Sequence, residues 1–149
     1  MISWVHKYYK DLLRDELYEI LRLRQEVFII EQNCNYLDAD NYDKQSLHLM
    51  GYKKNQLIAY MRILPEKVLY LNTSFGRILV KKEYRDLGIG KELLKRGIDL
   101  CSQNKTIVMS AQLYLIKFYQ NFGFVSVGEE YLEDEIPHIK MIRNGKDKS

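Results

Sequence analysis

The chain has 149 residues, 46% of them hydrophobic and 29% charged, a balance suited to one globular domain rather than to a disordered or fibrous chain. Its net charge of +3 comes from 23 basic residues scattered among 20 acidic ones, which argues against an extended nucleic-acid footprint. No 18-residue apolar run and no signal-peptide core occur, so a cytoplasmic location and no membrane partner are expected.

Taken in order, residues 15–31 place Leu17, Ile20, Leu21, Val27, Phe28 and the stem of Arg24 at three- and four-residue steps, predicting one amphipathic helix. The following "NCNYLDADNYDKQ" has loop composition. Its Asp38, Asp40 and Asp43 lack the Gly and distal Glu of a calcium loop and read as a solvated loop. "SLHLMGYK" and "QLIAYMRIL", separated by "KKN", read as a hairpin; "VLYLN" and "SFGRILV" read as two further strands. A second helix over residues 90–102 carries Leu93, Leu94, Ile98 and Cys101. "TIVMSA" is a strand, "LYLIKFYQNF" a short helix stopped by Gly123, and a strand pair around Pro137 precedes a solvated tail at about 144–149. The order gives an α/β (α+β) fold with a mainly antiparallel sheet in its first half. Cys34 and Cys101 sit in no CxxC or Cys/His spacing, so neither a disulfide framework nor a metal site is expected.

Between the fourth strand and the second helix lies Arg85-x-x-Gly88-x-Gly90, running into Lys91. A P-loop fails because Arg85 stands where its first glycine belongs and Glu92 follows Lys91. A dinucleotide fingerprint fails because Leu93 occupies the place of its third glycine. A glycine loop entering a helix remains, where free N–H groups and the helix dipole favour an anion.

This loop after "RILV", followed by a β-run and "AQLYLIKFYQNFGF", resembles the acetyl-CoA-binding core of the GNAT superfamily of N-acetyltransferases. "LRLRQEVFIIEQNCNYLDAD", "HLMGY", "AYMRIL" and "EDEIPHIKM" resemble its ElaA-like branch, extending the likeness over nearly the whole chain. The resemblance implies a single domain over 1–149, with a mixed sheet of six to seven strands, about four helices and a splay at the CoA cleft. It also implies acetyl-CoA as co-substrate and an amine as acceptor, with monomer and homodimer both open. Ile78, Leu79 and Val80 would pair with the pantetheine arm. Arg85, Asp86, Leu87, Gly88, Ile89, Gly90 and Lys91 would wrap the pyrophosphate. Gln112 stands where many members have an Asn that touches the arm, and Tyr119 matches the tyrosine that protonates the leaving thiolate.

The attacking amine must be neutral. A lysine-like amine is neutral only about 0.04% of the time at pH 7, a penalty near 4.6 kcal/mol, whereas an α-amine is about 10–15% neutral and costs little over 1 kcal/mol. Glu31, His138 and His48 are the candidate bases, and the residues alone leave the choice open. Small polyamines, aminoacyl compounds, peptide N-termini and protein lysines all fit as acceptors. A non-catalytic CoA sensor and a protein-interaction module are the rival readings; Tyr119 speaks against the sensor, which has no use for an acid.

Overall fold

In a computed structural model, which describes residues 1–146, seven strands form one sheet in the order β1-β2-β3-β4-β5-β7-β6. They are β1 (Ser3–Tyr8), β2 (Leu47–Lys53), β3 (Gln56–Leu64), β4 (Thr73–Val80), β5 (Ile107–Gln112), β6 (Val125–Glu133) and β7 (Ile136–Arg143). The helices are α1 (Arg14–Arg24), α2 (Ile89–Asp99) and α3 (Ile116–Gln120). The β2–β3 hairpin turns on Lys54 and Asn55, both in the left-handed region, which matches the expected "KKN" break. Every pairing is antiparallel except β4 with β5, joined through α2. No helix among the described residues is long and apolar enough to cross a membrane.

Alternation decides the layers. Phe75, Met109, Ala111, Ile139 and Met141 pack one face of the sheet against α2 and α3, with Leu93, Leu94 and Tyr119. Met50, Tyr60 and Leu79 pack the opposite face of β2–β4 against Ile20, Leu23 and Val27.

Several expectations need correction. The helix expected over 15–31 is α1 continued by a π-helical segment, Gln25–Glu31, so the described residues hold three α-helices rather than about four. Ile20, Leu23, Arg24 and Val27, at three- and four-residue steps, form the buried face, and Leu17, Leu21 and Phe28 flank it half-buried. "VLYLN" is not a strand. Past Pro65 the backbone closes on itself, Lys67 N–H donating to the carbonyls of Tyr70 (2.9 Å) and Leu71 (3.2 Å), and Leu71 is exposed. The missing strand is β1, in the segment read only for the lack of a signal peptide. In the expected tail, Gly145 N–H donates to Thr106 Oγ1 and Lys146 N–H to the Gln103 carbonyl, tying 145–146 back to the body. Residues 147–149 of that tail lie outside the described residues.

The largest correction concerns the aspartates. Asp38 and Asp43 are buried, and with Asp40 they meet three arginines. Arg24, fully buried, donates from Nε to Asp38 (2.8 Å) and from Nη1 to Asp43 (2.6 Å). Arg62 donates to Asp40 at 2.7 and 2.6 Å and to Asp43 at 3.0 Å; Arg77 reaches Asp40 at 3.2 Å. Three positive and three negative charges cancel, and together they pin the loop 33–46 to β3 and β4.

Candidate active site

Strand β4 pairs with β5 only through Thr73↔Ile107 and Ser74↔Val108; beyond them the strands part. On its other side β4 carries a bulge. Between Tyr60↔Leu79 and Arg62↔Gly76 it has Arg77 and Ile78 opposite the single Met61, with Arg77 at φ 50°. The splay expected between these strands is therefore present, and it opens into a cavity of about 650 Å³.

Ile78, Leu79 and Val80 border this cavity along the edge of β4 that β5 has left. At the mouth, Gly88 holds φ 81° and immediately precedes α2. Glu92 N–H bonds the Gly88 carbonyl, so Ile89, Gly90 and Lys91 keep their N–H groups free of the helix ladder. Arg85, Asp86, Gly88, Gly90 and Lys91 line the cavity. Leu87 points to solvent and Ile89 into the core, so these two offer the cavity only backbone groups.

Arg85 is fully engaged. Its Nε donates to the Val80 carbonyl (2.8 Å), and its two terminal nitrogens grip Glu31 at 2.5 and 2.9 Å. The π-helical segment thus ends on the glycine loop, and both Glu31 oxygens are occupied. Gln112 exchanges hydrogen bonds with Gln32 (3.3 and 3.4 Å) across the cavity.

Tyr119 is 5% exposed and lines the cavity, its ring set against Phe118 and Phe124. Among the described residues its hydroxyl has no hydrogen-bond partner. Burial pushes the phenol well above its ordinary range, keeping it protonated. Phe118 borders the cavity as well, beside Gly90, so the adjacent pair is not divided between cleft and core.

The sequence reading found His138 but not its neighbours. His138 donates from Nδ1 to the Ile136 carbonyl (2.7 Å), leaving Nε2 3.3 Å from Glu133 Oε2. The other Glu133 oxygen accepts from Ser110 (3.3 Å), and Ser110 meets the Tyr131 hydroxyl at 2.5 Å. These residues come from β5, β6 and β7. "GEEYLEDE" gave no periodic or motif signal for Glu133. Cys34, Tyr36 and Tyr70 also line this end. His48 is removed from the candidate bases. It is fully buried away from the cavity, Nδ1 taking the Tyr60 hydroxyl (2.7 Å) and Nε2 donating to the Asp43 carbonyl (2.8 Å).

The sequence pattern of the family described as "Acetyltransferase (GNAT) domain" matches residues 15–144. The chain belongs to the GNAT acetyltransferase family. Within this family it is 37% identical to Protein ElaA of Escherichia coli over 148 residues, covering 96% of this chain and 97% of that one. A UPF0039 protein of Synechocystis is 41% identical, over 95% and 94% of the two chains. The crystal structure of Escherichia coli ElaA superposes with a TM-score of 0.90, over 97% of this chain and 100% of that one. The crystal structure of an acyl-CoA N-acyltransferase from Pseudomonas aeruginosa superposes with a TM-score of 0.89 at 38% identity, over 95% and 99%. The GNAT fold, with its mixed sheet opened between β4 and β5, is the architecture the resemblance implied.

Proposed function

We propose that the protein transfers an acetyl group from acetyl-CoA to a primary amine by direct attack on the thioester. The observation that carries this reading is the parted β4–β5 edge, with a protonated, unpartnered phenol on its wall and a glycine loop at its mouth.

The backbone of Ile78, Leu79 and Val80 takes the pantetheine arm as an added strand. The free N–H groups of Ile89, Gly90 and Lys91, with the Lys91 charge, hold the pyrophosphate. The Glu31–Arg85 pair fixes the loop in that shape, and Gln112 steadies the arm. Amine nitrogen then bonds to the thioester carbon, the C–S bond breaks, and the thiolate takes the phenolic proton of Tyr119. For the amine's own proton we favour His138 over Glu31, whose oxygens are both committed to Arg85. With Nδ1–H fixed on the Ile136 carbonyl, the neutral ring keeps its lone pair on Nε2. Nε2 lies 3.3 Å from Glu133 Oε2, so a proton taken there has a carboxylate acceptor beside it.

The decisive experiment is acetyl-CoA turnover over a panel of amines, read as free-thiol release. Amine-dependent release is expected; tight CoA binding with no release on any amine would establish the sensor instead. The loop assignment has its own check. Gly90→Glu places a carboxylate among the free N–H groups while its Cβ meets Phe118 and Val80 only at ordinary contact, 3.7 and 3.8 Å. Calorimetry with CoA is expected to show at least a tenfold loss of affinity, and unchanged affinity in a folded variant would end the assignment.

A further inference from the structure

Three buried side-chain donors on the cavity wall make no hydrogen bond among the described residues: Arg62 Nε, Ser74 Oγ and Arg77 Nε. Arg77 Nε still has the Asp38 carboxylate 2.8 Å away, so Arg62 Nε–H and the Ser74 hydroxyl are the two left without a partner. Arg62 is 2% exposed and Ser74 1%. Leaving such a donor unpaired costs about 1–3 kcal/mol, and native structures keep few of them. The terminal nitrogens of Arg62 are spent on Asp40 and Asp43, so Nε–H is the part left for another group.

Register brings the two donors together. Arg62 on β3 pairs with Gly76 on β4, and Ser74 lies two residues before Gly76, so all three share one face. Gly76 has no side chain to cover them. A Cβ there would stand 3.8 Å from Arg62 Nε and meet nothing else within 4 Å, so unfilled space lies beside that N–H. Two unpartnered donors on one face, next to a residue with no side chain, call for an oxygen acceptor.

Position says which ligand brings it. Ser74 lies four residues from Ile78, about 13 Å along an extended strand, on the far side from the glycine loop. The oxygen therefore belongs to the amine substrate rather than to the pantetheine arm. Charge says which kind of oxygen. Arg24, Arg62 and Arg77 are cancelled by Asp38, Asp40 and Asp43, while Glu133 and Asp134 also border this end. A carboxylate gains nothing from a neutral cluster and is repelled by the two acids, whereas a neutral carbonyl is not.

We infer that the acceptor is an aminoacyl compound whose neutral carbonyl oxygen accepts hydrogen bonds from Arg62 Nε–H and Ser74 Oγ–H. This rests on the acetyl-transfer reading above. It also eases the proton problem, because an amine on the carbon next to a carbonyl is neutral far more often at pH 7 than a lysine-like one.

Phenylalaninamide and phenethylamine differ by the carboxamide and by the lower amine basicity it brings, a difference that the variants below leave unchanged, and Tyr36, Leu69 and Tyr70 line the cavity that receives their ring. Calorimetry on CoA-saturated protein is expected to show phenylalaninamide binding at least tenfold more tightly, with KM in turnover in the same ratio. Ser74→Ala removes one donor and Gly76→Ala narrows the approach to the other. Each is expected to erase most of that preference, with acetyl-CoA affinity measured as the control for folding. Equal binding of the two probes to the wild type, or a preference that survives both variants, overturns the subsite. Tighter binding of phenylalanine itself overturns the neutral-carbonyl assignment. Amide binding that depends on Ser74, with no acetylation of any amine, sustains the subsite and overturns the acetyl-transfer reading instead.

Discussion

Tyr119→Phe is expected to lower the turnover number about 10²- to 10⁴-fold, the usual contribution of a positioned acid, while CoA affinity stays within a few-fold. The substitution removes one oxygen and nothing else. The ring is held by Phe118 and Phe124, contacts that phenylalanine keeps, and the lost hydroxyl has no hydrogen bond among the described residues whose breaking would disturb the fold. Because burial raises the phenol's pKa, its proton is present throughout the neutral range. Loss of rate therefore reports the missing donor, not a changed protonation state. Steady-state kinetics on both proteins, with CoA calorimetry beside them, makes the check. Wild-type turnover in the variant would take the acid role away from Tyr119.

Arg24→Met is expected to cost about 3–5 kcal/mol, because it strips one of two arginine partners from both Asp38 and Asp43 and leaves a net negative charge buried in the cluster. For a chain of this size that lowers Tm by about 6–20 °C, measurable by thermal unfolding. The same cluster predicts acid sensitivity. Burial by itself raises the Asp40 carboxyl, but Arg62 and then Arg77 outweigh it and bring the pKa from 3.8 down to about 2. Asp43 is lowered likewise, against its own burial, by Arg24 and Arg62. A depressed folded-state pKa contributes stability that is complete above the unfolded value and lost as pH falls toward the folded one. Urea midpoints are therefore expected to fall between about pH 5 and pH 2, with a shallower fall in Asp40→Asn. A pH-independent midpoint over that range would contradict the cluster's role.

Much of this was legible in the chain itself, wherever a signal is local. The R-x-x-G-x-G loop declares itself by spacing, and Gly88 adopts the left-handed turn that the loop needs before α2. The "KKN" break, the strand at residues 107–112 and the short helix bearing Tyr119 follow from periodicity and punctuation. Where the local signal was ambiguous the reading failed. "VLYLN" alternates like a strand but follows Pro65 and turns back on itself. A 3.6-residue period cannot reveal that the ladder loosens to a π-helical segment after Arg24, because the loosening is set by what the segment must reach, Arg85.

The sequence by itself determined the family, the β2–β3 hairpin and the glycine loop before α2, since these depend on residues within a few positions of one another. Only the tertiary structure decided the lining of the cavity away from the glycine loop. Glu133, Ser110 and His138 meet because β7 inserts between β5 and β6. Arg62 and Ser74 share one face of the sheet because two strands pair in a particular register over a glycine. Asp38, Asp40 and Asp43 look like a solvated loop until three arginines from α1, β3 and β4 are folded onto them. Their burial is stable only when those partners arrive from 14 to 39 positions away. Long-range pairing of charge and register leaves no periodic trace along the chain, so this end of the cavity had to be read from the fold.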